Sequence, residues 1–229
     1  MIRLYCDDFG YNPQADKGII RLLEDGKLFG LSVLSTLASA KSLRKLSSAL
    51  NGKNTLLGLH INLIEEKPRQ NHFLHYIFFI FNLFLGRIDK SYIRSEIENQ
   101  LDKLLKLGMK VNILDSHQHS HALSPIAEIT ADIAKKYAIR DIRGFDSIQA
   151  YSLKAKITYG TLKVLAFISY LLAYKKIGMP ASWKIKQKFD WIVMSWEDET
   201  INISSIKNKN ASFIIHPFLP FDSNRSYLR

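Results

Sequence analysis

Short apolar runs alternate along the chain with longer segments in which apolar positions recur every three or four residues. Ile2–Cys6 ("IRLYC") stops at Asp7 and Asp8, the pattern of a short buried strand. From Pro13 onward, Ile19, Ile20, Leu22 and Leu23 keep a helical period that closes near Gly26. Gly30–Thr36 and Thr55–Leu63 predict two more strands, and Ser39–Leu50 between them a helix with Leu43, Leu46 and Leu50 on one side. Ser91–Gly108 predicts a helix capped by Ser91 and closed by Gly108. Lys110–Leu114 ("KVNIL") predicts the fourth strand and Ser124–Ala138 the helix behind it. A fifth strand at 139–144, an apolar helix across 153–177, and strands at 190–196 and 211–217 complete the prediction.

Regular alternation of strand and helix predicts an α/β fold with a parallel sheet. About seven such units in 229 residues point to a small barrel, with an open doubly wound sheet as the alternative. No Pro/Gly/Ser-rich linker divides the chain, so residues 1–229 are expected to form one domain. Neither Gly-x-Gly-x-x-Gly nor a phosphate-loop lysine occurs, which removes the usual nucleotide sites.

Two stretches are strongly apolar, Phe73–Gly86 and Leu162–Ala173. Each is shorter than the roughly 20 residues of a spanning helix, so burial in the core is the first reading and contact with a membrane surface the second. The formal charge of +11 and pI near 9.6 raise the question of nucleic acid. The lysines are dispersed and no nucleic-acid motif accompanies them. A basic solvated face drawn to anionic lipid or substrate is therefore expected, with no nucleic-acid partner. A homodimer stays open. The single cysteine, Cys6, excludes an internal disulfide and suits a reducing compartment. "MIRLYCDDFG" leaves no room for a secretion signal, so a cytoplasmic location is expected.

Chemistry in parallel α/β folds gathers where strands end. Four polar clusters fall at such ends: Asp7–Asp8, His60, the run "DSHQHSH" from Asp115 to His121, and His216. A lone histidine on an apolar strand is more often a satisfied core residue, and Asp7–Asp8 could cap a helix. The histidine run differs. Alternation on an extended segment would send His117, His119 and His121 to one side, which has few purely structural uses. Together the clusters predict a divalent-metal site, since imidazole and carboxylate suit Zn²⁺, Co²⁺, Mn²⁺ or Mg²⁺. Paired aspartates suit a hydrolase, one holding the metal and its neighbour taking the proton of an attacking water.

"DDFG" at 7–10, "GLHINL" at 58–63, "LDSHQHSH" at 114–121 and "HP" at 216–217 resemble the YdjC-like carbohydrate deacetylases, in order along nearly the whole chain. The resemblance implies a TIM-barrel-like fold with an incomplete ring of about seven strands, and metal-dependent removal of an N-acetyl group from an amino sugar, free or lipid-linked. It implies one divalent ion, magnesium or zinc, held by Asp8, His60 and His117. It further implies Asp7 as general base, His216 as acid, and His119, His121 and Arg143 near the substrate. Relatives of this kind continue past the point matching Arg229, so the chain is expected to lack their closing helix. A catalytically idle membrane-surface or carbohydrate-binding protein on the same barrel is the rival reading.

Overall fold

The computed structural model describes residues 3–64, 78–83, 85–143, 160, 161 and 164, and the backbone of strands at 190–193 and 211–215. The predicted helix over 153–177 lies almost wholly outside the described residues. In chain order the elements are β1 (Arg3–Phe9), α1 (Pro13–Glu24), β2 (Leu28–Val33), α2 (Ala40–Leu50), β3 (Leu56–Ile61), α3 (Lys90–Leu105), β4 (Ile113–Ser116), α4 (Ile126–Lys136), β5 (Asp141–Ile142), β6 (Asp190–Val193) and β7 (Ala211–Ile215).

All six pairings among these strands are parallel. The sheet order is β5-β4-β3-β2-β1-β7-β6: among the described strands, consecutive ones pair except β5 with β6, and β1 pairs with β7. Each helix begins with a local signal. Asn12 caps α1 ahead of Pro13, and Ser39 caps α2. The cap of α3 is Asp89 rather than the expected Ser91: Ser91 donates its N–H and hydroxyl to the Asp89 carboxylate.

Strand alternation divides the sheet into two unlike faces. Leu4, Cys6, Leu31, Val33, Leu57, Leu59 and Leu114 belong to the apolar core beneath the helices. The intervening positions, Tyr5, Asp7, Ser32, His60 and Asp115, are buried on the other side. Gly30 and Gly58 sit among them because a Cβ at either would collide with Tyr5, at 2.5 Å from its ring and 2.6 Å from its hydroxyl. That room seats Tyr5 across two neighbouring strands.

The polar face is also curved. Arg143, directly after β5, reaches Asp7 on β1 at 2.6 and 2.8 Å. Four strand spacings would separate β5 from β1 by about 19 Å in a flat sheet, beyond the reach of the two side chains.

Candidate metal centre

Consecutive residues of a strand point to opposite faces, so Asp7 and Asp8 should part. They do not, because β1 bulges. The pairing with β2 shifts between Cys6 and Phe9, and Asp8 has φ 60°. With Cys6 and Phe9 both in the apolar core, the two acids between them are left to the polar side.

The bulge is held by the loop that follows. Gly10, at φ 102°, lies so close to Ala38 that a Cβ would come within 2.6 Å of Ala38 Cβ. Its N–H donates to Asp16 Oδ1 at 2.7 Å. Burial raises the Asp16 carboxyl to about 6 from its ordinary 3.8, with the Gly10 N–H and Ser42 hydroxyl pulling it back. The folded chain thus keeps this proton more tightly than the unfolded chain, and ionisation of Asp16 costs stability as pH rises from about 4 to about 6. Asp16→Asn keeps an acceptor for Gly10 and removes that ionisation. It is expected to stabilise the protein by about 1–3 kcal/mol at pH 7, with the gain vanishing near pH 4, in urea melts at both values.

Asp8, His60 and His117 converge. Asp8 Oδ1 lies 3.1 Å from His60 Nε2 and 3.0 Å from His117 Nδ1, and one ligand atom from each residue falls within 4.8 Å of the others. The His60 and His117 rings meet edge-on at 5.7 Å, and Tyr11 lies against His117 at 5.9 Å. Asp8 Oδ2 is buried with no hydrogen-bond partner among the described residues. Burial pushes the Asp8 carboxyl up, but the hydrogen bonds from His117 and His60 outweigh it and hold it well below the usual carboxylate range.

Asp115 stands behind His60. Its Oδ1 is 2.7 Å from His60 Nδ1, and its Oδ2 accepts from the Ser32 hydroxyl at 2.6 Å and from Arg143. Strand register sets this up, since His60 and Asp115 are direct partners in the β3–β4 pairing. Burial would lower the His60 pKa, yet Asp115, Asp7 and Asp8 raise it to about 10. Burial likewise opposes ionisation of Asp115, and Arg143 and His60 overcome it. Arg143 bridges Asp7 and Asp115 with its guanidinium over the Tyr5 ring, 5.0 Å from the centroid.

These distances test whether a cation fits. Three aspartates, Asp7, Asp8 and Asp115, gather here with the single guanidinium of Arg143, which pairs with Asp7 and Asp115, and all four side chains are buried. Ligation requires neutral imidazoles, so His60 would give up its proton to a cation; three negative charges less one positive then leave two, which a divalent ion would neutralise. The unpartnered Asp8 Oδ2 and the imidazoles of His60 and His117 are suitable donors, and Asp115 supplies the carboxylate behind a ligating histidine that fixes its ring. A second trio, Asp7, His60 and Asp115, also lies close enough to hold an ion. There Arg143 already occupies both carboxylates, so the Asp8 trio is the better seat.

The histidine run folds differently from the expectation. Residues His117–Ala122 form a 3₁₀ turn, with Gln118 and His119 in the left-handed region at φ 55° and 58°, so the three rings do not share a face. His117 joins Asp8, and His119 is half-buried. His121 is fully buried. Its Nε2 donates to the Arg143 carbonyl at 2.8 Å, and its Nδ1 takes the Ser116 hydroxyl at 2.6 Å. Burial lowers its pKa to about 4, so it is neutral at physiological pH. His121 and Arg143 therefore brace the site from inside the sheet. His216 lies outside the described residues. Cys6 is buried, and burial together with Asp7 pushes its thiol up, which denies it a nucleophile's role.

Sequence reasoning singled out the three converging residues but missed the bracing by Ser32 and Asp115. The one available signal was their position, a serine and an acid at inward places of apolar strands.

Fold and site define an α/β protein with a buried carboxylate–histidine cluster, spaced as a metal site would be, at the carboxyl ends of parallel strands. The chain belongs to the YdjC-like protein family, which matches residues 1–220. It is 30% identical over 152 residues to a carbohydrate deacetylase of Mus musculus, covering 60% of this chain and 48% of that protein. A carbohydrate deacetylase of Xenopus laevis is 32% identical over 151 residues, again 60% and 48%. One from Vibrio cholerae serotype O1 is 28% identical over 161 residues, 67% of this chain and 63% of the other. The chain thus spans about half the length of the animal relatives it matches. A solved structure from Enterococcus faecalis, provisionally assigned to cellobiose-phosphate cleavage, superposes with a TM-score of 0.48 at 20% identity, over 72% of this chain and 64% of its own.

Proposed function

We propose that this protein is a metal-dependent carbohydrate deacetylase that hydrolyses the N-acetyl amide of an amino sugar, and that its curved sheet is the wall of an incomplete barrel. The observation that carries the activity is the convergence of Asp8, His60 and His117 around an unpartnered buried carboxylate oxygen. The named relatives supply the substrate class. The span from β5 to β1 bridged by Arg143 supports the barrel.

Asp8, His60 and His117 hold the ion, and two imidazoles with one carboxylate favour Zn²⁺, Co²⁺ or Mn²⁺ over Mg²⁺, which prefers oxygen. A bound divalent ion supplies Lewis acidity toward the amide carbonyl and lowers the pKa of water at the site. Asp7 is the general base, oriented by two hydrogen bonds from Arg143. Asp115 orients His60 through Nδ1 and fixes its tautomer. His216 protonates the leaving amine. His119, on its left-handed turn, contacts the sugar.

Acetate release from N-acetylglucosamine oligomers, metal-stripped and then resupplied with single divalent ions, tests the reading. Activity is expected only with metal, with zinc or cobalt at least tenfold above magnesium. Tight metal binding without acetate from any amino sugar would favour an idle carbohydrate-binding protein.

A further inference from the structure

The connection from β3 to α3 carries an apolar surface that the site does not use. Residues 78–83 are helical. Phe79, Ile80 and Leu83 turn into the core, while Phe78 and Phe81 point outward at 69% and 57% exposure, followed by Leu85 at 49% and Tyr92 at 61%. A short helix that is apolar on both sides has a second apolar partner in view. Its buried half anchors it to the core, so the exposed half is presented on a fixed base. Exposed Arg87 and Lys90 flank it. The neighbouring acid, Asp89, is occupied as the cap of α3.

The surface also lies at the functional end of the sheet. The connection leaves β3 just past His60. Gln100 of α3 is bonded on both sides of its amide to the Asn62 backbone, at 2.9 and 2.6 Å, so Gln100 is level with the carboxyl end of β3. The ten residues of α3 before Gln100 rise about 15 Å beyond that edge, carrying Tyr92 with them. No described helix is long and apolar enough to cross a membrane.

We propose that residues 78–83 and 85–92 form a docking surface for an anionic lipid bilayer, with Phe78, Phe81 and Leu85 entering the headgroup boundary and Arg87 and Lys90 meeting lipid phosphates. The chain's charge of +11 complements such a surface, where each basic residue close to the headgroups contributes about 1 kcal/mol. A second copy of this chain would bring the same positive charge against itself. Docked this way, the end of the sheet that carries His60 faces the bilayer, and the substrate is an amino sugar borne on a lipid. That last step rests on the deacetylase reading, whereas the docking does not.

Co-sedimentation of the full chain with vesicles of phosphatidylcholine, alone and mixed with phosphatidylglycerol, tests the docking. Binding is expected with the anionic mixture only. It should fall about tenfold or more in Phe78→Ser/Phe81→Ser and about fivefold for each charge removed in Arg87→Gln/Lys90→Gln. Unchanged metal affinity in both variants would show that the fold is intact. No binding to anionic vesicles, equal binding by the phenylalanine variant, or a concentration-dependent dimer that the same variant abolishes would each overturn the proposal. Acetate release from soluble oligomers in a chain that binds no vesicles would leave the deacetylase reading standing alone.

Discussion

Replacing Arg143 with methionine is expected to lower stability by about 3–5 kcal/mol, read as a fall in the urea midpoint. The guanidinium is 2% exposed and joins two carboxylates that are equally enclosed, two oxygens on Asp7 and one on Asp115. Methionine fills similar volume, so loss of packing is a small part of the effect. The large part is the loss, in a low-dielectric interior, of the counter-charge that the two carboxylates share, which leaves Asp115 with His60 alone. Lysine in the same place would recover less than half of the loss, because an ammonium cannot span both carboxylates as the planar fork does. A change below about 1 kcal/mol would mean that water reaches these groups and that the pairs are surface-like.

The second large effect is catalytic. Asp7→Asn is expected to reduce acetate release by about 10²- to 10⁴-fold, the usual contribution of a positioned base, while metal affinity is retained. Asp8→Asn should do the reverse and strip the metal. Elemental analysis of the two purified variants distinguishes the roles, and metal lost from the Asp7 variant but kept in the Asp8 variant would exchange them. Asp7→Asn also sets an amide NH₂ against a guanidinium N–H, so some stability is lost. That loss should be smaller than for Arg143→Met, since Arg143 keeps its bond to Asp115.

Elements whose packing is local are legible in the sequence, and contacts between distant strands are not. Helices α1 and α2 announce themselves through apolar spacing and caps, as do β1 to β3. The apolar pattern puts the fourth strand at Lys110–Leu114, but it runs from Ile113 to Ser116. Asp115 and Ser116 look like loop residues, and only a polar sheet interior makes them strand. Asp7–Asp8 stands out as a site, yet strand alternation alone would separate the pair, and the bulge that reunites them leaves no clear mark in the chain. The histidine run suggests an extended segment because its spacing is two. Left-handed turns at Gln118 and His119 break that period. The apolar stretch near Phe78 reads as core; among its described residues Phe79, Ile80 and Leu83 are packed there, and Phe78, Phe81 and Leu85 are not. For Arg143, nothing near it in the chain indicates a partner 136 residues away.

That separation has a consequence for how the molecule assembles. A contact closing so long a loop is entropically unfavourable until the strands between have paired, so the link between Arg143 and Asp7 belongs to the last stage of folding. Partly folded chains would hold Asp8 and His60, and the turn that carries His117, on a sheet still flatter than the native one. Recovery of cation affinity during refolding should therefore lag behind recovery of helical signal, and the interval between them would time the closing of the sheet.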